Sequence, residues 1–525
     1  MPVARSILHG QITYSEAQKK ETNILQELTY ASLAASFKAR IESKSETIKA
    51  IVAHHLYLNR SCCIDIAHPS EWLNGSFNLC VPVSVRTPRD SVRVLMRFPL
   101  PYKTAETIHP GNGDEKTRCE AGTYAWIAQE CPDIPIASLW GFGLSTGQKF
   151  TALRNTPLFI NYFQHLKRKI LSLLGRPVPC QYMQHKLPML DDLGTGYLLL
   201  EYVEDGKMLS ESYALQFHDA TRRNNLFRDL AKIQLILSRK TFPRIGSIII
   251  DDDGVLGLSN RPLALEICQL ENENIPVDIP RTMTYSTVDT YIHDLLSLHD
   301  SRLRYQLNGA TSMQDCISQM SALSTMRTVY PEFFDRKLRS GPFVPTLTDL
   351  HPSNLFVDDD WHIKKLLDLE WMCIRPVEMQ HPPYWLTNQA VDRIDEVEYS
   401  KLGNEFIDIL EEEERLMTKE STLPEEVTNG LTYAELLRRL WRQGTFWYCF
   451  GLDSPTGLHH IFYNRLKPRY QVPDKDSFDD GFYIVAPTFW TTRAWDFMFS
   501  KRKDKAKYDD ELRKAFQMPP LDVRD

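Results

Sequence analysis

The 525-residue chain reads as an α+β protein, a small mixed sheet with one helix followed by a larger helical half. Three observations predict this plan. Two short runs rich in Val, Leu and Phe, SFNLCVPVSV and SVRVLMRFPL, flank the turn-like RTPRD and read as paired strands. A helical stretch, DEKTRCEAGTYAWIAQE, follows and is stopped by CPDIP. Beyond residue 204 the periodicity turns helical, with Leu226, Leu230, Ile233 and Leu237 along one face.

Taken in order, residues 1–60 are rich in helix formers with recurrent apolar positions, and a helical extension is expected there. LGTGYLLLEYV reads as a further buried strand, and GSIIIDDDGVLGL as a hairpin around an Asp-Gly turn. After residue 390 the text is mostly helical, including the acidic IDILEEEERL and the aromatic LLRRLWRQGTFWYCF. No internal repeat or long low-complexity linker interrupts it. The expected division is 1–60, a sheet-rich 61–203 and a helical 204–525.

Hydrophobic content of 42% and charged content of 25% are those of an ordinary globular protein. With a net charge of -7, a broad electrostatic grip on nucleic acid or anionic lipid is not expected. Ten cysteines without CxxC spacing argue against a zinc or disulfide framework and fit a reducing compartment. The opening MPVARSILHGQITYSEAQKK lacks a long apolar core, and no apolar run approaches the roughly 20 residues that cross a bilayer. A cytoplasmic protein is the expectation.

The most informative stretch is LTDLHPSNLFVDDDWHIKKLLDLEW. Leu355 to Val357 and His362 to Asp368 read as the two strands of a hairpin around DDDW. An antiparallel pair brings the start of its first strand near the end of its second. Asn354 and Asp368 are therefore expected at one end, with Asp349 on the loop just before. Three oxygen-bearing side chains in that arrangement suit phosphoryl transfer, where one carboxylate orients a hydroxyl and two other oxygens hold a hard divalent cation. A polar hairpin capped by Asp and Asn is the plainer reading.

These segments resemble the catalytic and metal-binding segments of the aminoglycoside phosphotransferase family, and TDLHPSN and LDLEW are similar to text in its large fungal members. The resemblance runs from about residue 70 to 390. It implies a two-lobed protein-kinase-like fold, ATP and Mg²⁺ as cofactors, and a small-molecule hydroxyl as acceptor. By position it implies Asp349 as catalytic base and Asn354 and Asp368 as metal ligands. WLNGSFN, with Gly75, Ser76 and Asn78, falls where the family covers the phosphates. Arg97 falls at the phosphate-binding cation, Glu120 at the helix carboxylate that pairs with it, and Glu201 to Val203 at the hinge that meets the adenine. Independently, Glu120, Tyr124 and Ile127 share a helix face, so Glu120 points at apolar surroundings and needs a cationic partner. Two departures stand out: Leu347 occupies a position where the family commonly has His, and the covering loop has only Gly75. A nucleotide binder without turnover is therefore the alternative, and a protein kinase, lacking H-R-D text, the more distant one.

Other signals point to less. GLSTG, Gly143 to Gly147, matches the spacing of a hydrolase nucleophile elbow, but no good helix text follows. DDDG lacks the alternating spacing of a calcium loop. The His54-His55 and His459-His460 pairs have no HExxH context. The EEEER run reads as a solvated helix face, and the Trp and Phe cluster near residues 441–450 as helical core or a wall of the acceptor pocket.

Overall fold

An eight-stranded antiparallel sheet, packed on both faces, is the main β element of the computed structural model, which describes residues 4–59, 61–88, 90–185, 193–389, 393–417, 430–470 and 479–518. The strand order is Cys63–Ile66, Asn78–Arg86, Ser91–Pro99, Tyr197–Glu201, Leu139–Gly143, Lys149–Ala152, Tyr182–His185, and the short Leu73–Asn74 pairs with Asn78–Arg86. Period two divides the residues between the faces. Val81, Val83, Val94, Met96, Phe98, Tyr197 and Leu199 pack under Ile48, Ile51 and Val52 of the N-terminal helices. Leu95, Leu198 and Leu200 face the opposite side and the main core. Arg97 lies on that second face, opposite Cys80 on one neighbouring strand and Leu198 on the other.

The helix Asn112–Glu130 covers the second face. Fourteen of its 19 residues are buried, among them the charged Glu115, Lys116 and Glu120. Gly122 lets it approach the strand Ser247–Ile250, since a Cβ there would stand 2.5 Å from the Ile248 carbonyl oxygen. Its first turn is held by a buried ion network. Arg261 reaches Glu115 at 2.9 Å and Glu271 at 2.6 Å, and Asn112 donates to Glu271 at 2.8 Å. The helix that carries Glu120 is thereby clamped to the hairpin Ser247–Asn260 and the helix Leu265–Asn272.

The rest of the chain is mainly helical, with Ala220–Ser238, Val288–Tyr305, Met313–Val329, Glu396–Met417 and Tyr433–Gln443 among its longer helices. Leu226, Leu230, Ile233 and Leu237 are buried along Ala220–Ser238, matching the predicted stripe. A sheet-rich part and a helical part therefore make up the fold. No described helix is long and apolar enough to cross a membrane. All ten cysteines are free thiols.

Some local readings change, while the turn at GLSTG and a core histidine at His55 are borne out. The N-terminal text opens on a strand pair, Ala4–Ser6 with Gln11–Thr13, turned at Gly10, before its helices begin. Ile12, Ala17 and Ile24 then pack against Tyr508, Leu512 and Phe516. GLSTG is a hairpin turn between Leu139–Gly143 and Lys149–Ala152, with the Ser145 hydroxyl held by Asp114 at 2.7 Å, so no nucleophile elbow exists. The EEEER run is only partly solvated. Glu413 is buried against Arg228, and Glu414 caps the helix Tyr433–Gln443 by accepting from the Tyr433 amide at 2.7 Å. His55 is a core residue, bonded to Thr151 and Tyr197.

Removing one partner of a buried ion network leaves uncompensated charge, which costs about 3–5 kcal/mol. Arg261→Ala, which strands Glu115 and Glu271, should lower the unfolding free energy by that amount in chemical denaturation. An unchanged midpoint would show that the clamp does not hold the helix.

Candidate functional site

The hairpin around DDDW forms from Leu355–Val357 and Ile363–Leu366, turned by Trp361 with φ of 64°. Trp361 is buried and its indole N–H donates to Ser212 at 3.0 Å, which fixes the turn to the helical part. The return strand ends at Leu366, earlier than the sequence reading placed it. The Leu367 amide donates to the Asn354 carbonyl at 2.9 Å. Asp368 then adopts φ of 58°, a left-handed conformation uncommon for a residue with a side chain.

Asp349 sits on the loop after the strand Phe343–Leu347, which pairs with Met372–Pro376. Two hydrogen bonds tie this loop: the Thr348 hydroxyl to the Trp371 carbonyl at 2.7 Å, and the Trp385 indole to the Leu350 carbonyl at 2.7 Å. Asn354 adds a third, its amide donating to the Asp349 carbonyl at 2.9 Å. Leu347 packs its side chain against the main core. The loop is thus anchored without a histidine at that position. Asp349, Asn354 and Asp368 line a common narrow space of about 10 Å³.

Behind them lies a buried charge cluster. Arg97 contacts Glu120 at 3.3 Å, Glu370 at 2.7 Å and, more closely, Asp368. Lys116 pairs with Glu370 and lies 3.9 Å from Glu120. Asn78 bridges the two, its amide nitrogen donating to Glu370 at 2.7 Å and its oxygen accepting from Lys116 at 2.7 Å. Neither oxygen of Glu120 makes a hydrogen bond among the described residues.

The charges do not balance. Four carboxylates, Asp349, Glu120, Asp368 and Glu370, meet two cations, Arg97 and Lys116. Burial alone would push Glu370 up, but Lys116 and Arg97 outweigh it and hold it at about 2. Burial dominates at Glu120 and carries it up to about 7 despite Arg97 and Lys116. At Asp349, burial and then the charges of Asp368 and Glu370 push the carboxyl up to about 7. Asp368 is likewise raised, by burial and Glu370. Oxygens of Glu120, Asp368 and Glu370 lie within 4.8 Å of one another, an all-oxygen donor set with excess negative charge. Such a set fits a hard divalent cation.

Of the residues singled out in the sequence, Asn78, Arg97, Glu120 and Asp368 come together in this cluster, with Asp349 and Asn354 at its edge. Gly75 and Ser76 form an exposed turn ahead of Phe77, whose ring meets Trp371 edge-on at 5.2 Å. Asn78 belongs to the strand and points inward. Glu201 lies three residues along its strand from the position facing Arg97, roughly 10 Å away. Its amide and carboxylate are committed to Ser138 and its carboxylate also to Lys365, whereas the Val203 amide has no partner among the described residues. Lys116 and Glu370 were missed. The i, i+4 spacing of Lys116 and Glu120 is the signal that would have found the first, and Glu370 two residues after Asp368 the second.

Next to the Asp349 loop is a cavity of about 80 Å³, lined by Leu347, Thr348, Leu350, Tyr384, Arg375 and Asp453. Arg375 and Asp453 pair at 2.6 Å. Phe446, Trp447, Tyr448 and Phe450 are buried core, and Phe450 backs Tyr384 with ring centroids 5.5 Å apart.

No family model and no curated protein matches the chain. Among solved structures it is similar to an ethanolamine kinase of Plasmodium vivax, with a TM-score of 0.33 and 12% identity over 84% of each chain. At that level the likeness says nothing about activity.

The raised carboxyl of Glu120 has a measurable consequence. Between its ordinary value of 4.5 and about 7 the native chain retains a proton that the unfolded chain has released. Native stability therefore falls as pH rises through that window and levels off above it. Glu120→Gln carries no such proton. Its thermal midpoint relative to wild type should climb between about pH 5 and about pH 7, then plateau. A constant difference over that range would contradict a buried, largely protonated Glu120.

Proposed function

We propose that this chain is an ATP-dependent phosphotransferase that moves the γ-phosphate to a hydroxyl of a small molecule. In this reading it has two lobes, 61–203 for the nucleotide and 204–525 for the acceptor, with 1–60 as an extension packed on the sheet. The observation that carries the proposal is the meeting of Asp349, Asn354 and Asp368 at one end of a hairpin, with Asp368 paired to an arginine, Arg97, that also meets Glu120.

Each residue then has a physical task. Asp349 orients the acceptor hydroxyl and takes its proton, and a carboxyl held near 7 suits that work close to neutral pH. Asn354 and Asp368 are the groups that would hold Mg²⁺; Asp368 belongs to an oxygen cluster with Glu120 and Glu370 in which carboxylates outnumber cations, and that excess suits such an ion. Bound there, the ion would neutralise charge on the phosphates. Arg97 grips the triphosphate, and Glu120 and Glu370 keep its guanidinium in place. The turn at Gly75 and Ser76, with Asn78 anchoring it from below, covers the phosphates. The backbone from Glu201 to Val203 meets the adenine, with the Val203 amide as donor. The cavity beside Leu347 and Tyr384 takes the acceptor. Rate enhancement comes from positioning and preorganised charge.

A second reading has its own observation. Arg97 is already bound by three carboxylates and the covering turn is glycine-poor, which suits a protein that binds nucleotide without turnover.

Asp349→Ala should lower ATP consumption in a metabolite extract by about 10²–10⁴-fold, the usual scale for a positioned base, while leaving Mg·ATP binding intact. Undiminished turnover would remove Asp349 from the base role. Nucleotide binding by the wild type with no turnover under any acceptor would favour the second reading.

A further inference from the structure

The helix Leu158–Leu173 stands apart from every other part of the fold described above. None of its 16 residues is buried. Leu158, Phe159, Tyr162, Phe163 and Leu173 are between 65% and 88% exposed, an unusual fate for large apolar side chains. They are not scattered. At 100° per residue these five, with Leu166 and Ile170, fall on one continuous arc. The side turned to the body of the protein is instead the partly covered one, with Ile160, Gln164 and Leu171, and Gln164 donates to the Met183 sulfur at 3.0 Å. The amphipathic face thus points outward, the reverse of what burial in a globular core requires.

Charge identifies what covers it. Lys167 falls at one border of the apolar arc and Lys169 just inside the other, between Leu158 and Tyr162, while Arg168 lies on the partly covered side and Arg176 follows the helix. No Asp or Glu occurs between Asp133 and Asp191, although the whole chain has 68 of them. The net charge of -7 conceals this segregation, so the expectation of no membrane contact drawn from it does not speak for this segment taken alone. Lysines bordering an apolar face extend their stems along it and keep their ammonium groups in the polar layer. A face of Phe, Tyr and Leu edged by Lys and Arg is the pattern of a helix lying in the plane of an anionic membrane surface. A second copy of the same face would set basic border against basic border.

We propose that Leu158–Leu173 is a membrane-docking helix that lays its apolar face, about 24 Å long, into the headgroup region of an anionic lipid surface. It connects Lys149–Ala152 to the sheet-edge strand Tyr182–His185. In the sheet order Lys149–Ala152 is three strands from the strand of Arg97, so docking leaves the candidate site uncovered on that account.

The test uses the full-length chain in co-sedimentation with vesicles of phosphatidylcholine alone and of phosphatidylcholine with phosphatidylserine. Binding should be stronger by roughly tenfold or more with phosphatidylserine present and should weaken as salt rises. Phe159→Ser with Phe163→Ser, and separately Lys167→Glu with Lys169→Glu, should each reduce it by roughly tenfold or more. Both pairs lie on the exposed surface, so the thermal midpoint should stay at the wild-type value. Absence of binding to either vesicle, or binding that survives both pairs of substitutions, would overturn the proposal. So would a concentration-dependent dimer in sedimentation velocity that the Phe substitutions dissolve, since the face would then be covered by a second copy.

Discussion

One guanidinium holds the candidate site together. Arg97 comes from the sheet, Glu120 from the helix behind it, and Asp368 and Glu370 from the segment after the hairpin, so three separate pieces of chain meet at a single cation. Arginine is suited to this because its planar fork stays charged when buried and offers several donors in fixed directions. Lys116 and Asn78 complete the enclosure from the helix and the neighbouring strand. The register that sets Arg97 beside Leu198, the clamp of Arg261 on the helix start, and the close approach at Gly122 bring these charges within reach of one another.

Such a cluster is costly to bury, and its composition makes it costlier than a matched pair. Desolvation can exceed the attraction between buried ions even when they pair one to one. Here two cations face four carboxylates, and the site relieves the excess by holding protons on Glu120 and Asp349, both pushed up to about 7. A fold selected for stability alone would place apolar side chains there. An arrangement short of positive charge and rich in oxygen donors is instead the kind that an incoming cation with its phosphate partner completes. That is the physical basis of the phosphotransferase reading.

The parts of this architecture that follow local rules were legible in the sequence. The strands around Val81 and Val94, the helix from Asn112, the Asp-Gly hairpin and the turn at DDDW announce themselves through periodicity and turn residues. The strand pair at Ala4–Ser6 and Gln11–Thr13 did not, because three-residue strands carry no periodic signal. Lys116, Glu370 and Glu413 also escaped notice. A charged residue in charged text reads as solvent-facing, and only tertiary packing reveals the partner that allows its burial. The helix Leu158–Leu173 failed for the opposite reason. Its pattern, had it been read as helical, predicts a buried face, whereas the structure turns that face to the outside.

The most direct measurement is calorimetric titration of ATP into the protein near pH 7, with and without Mg²⁺, repeated in buffers of different ionisation enthalpy. If the cluster is completed by a cation, binding requires Mg²⁺ and releases protons, because neutralising the excess charge lowers the carboxyls of Asp349 and Glu120. Mg²⁺-independent binding, or binding whose heat is the same in every buffer, would contradict the account.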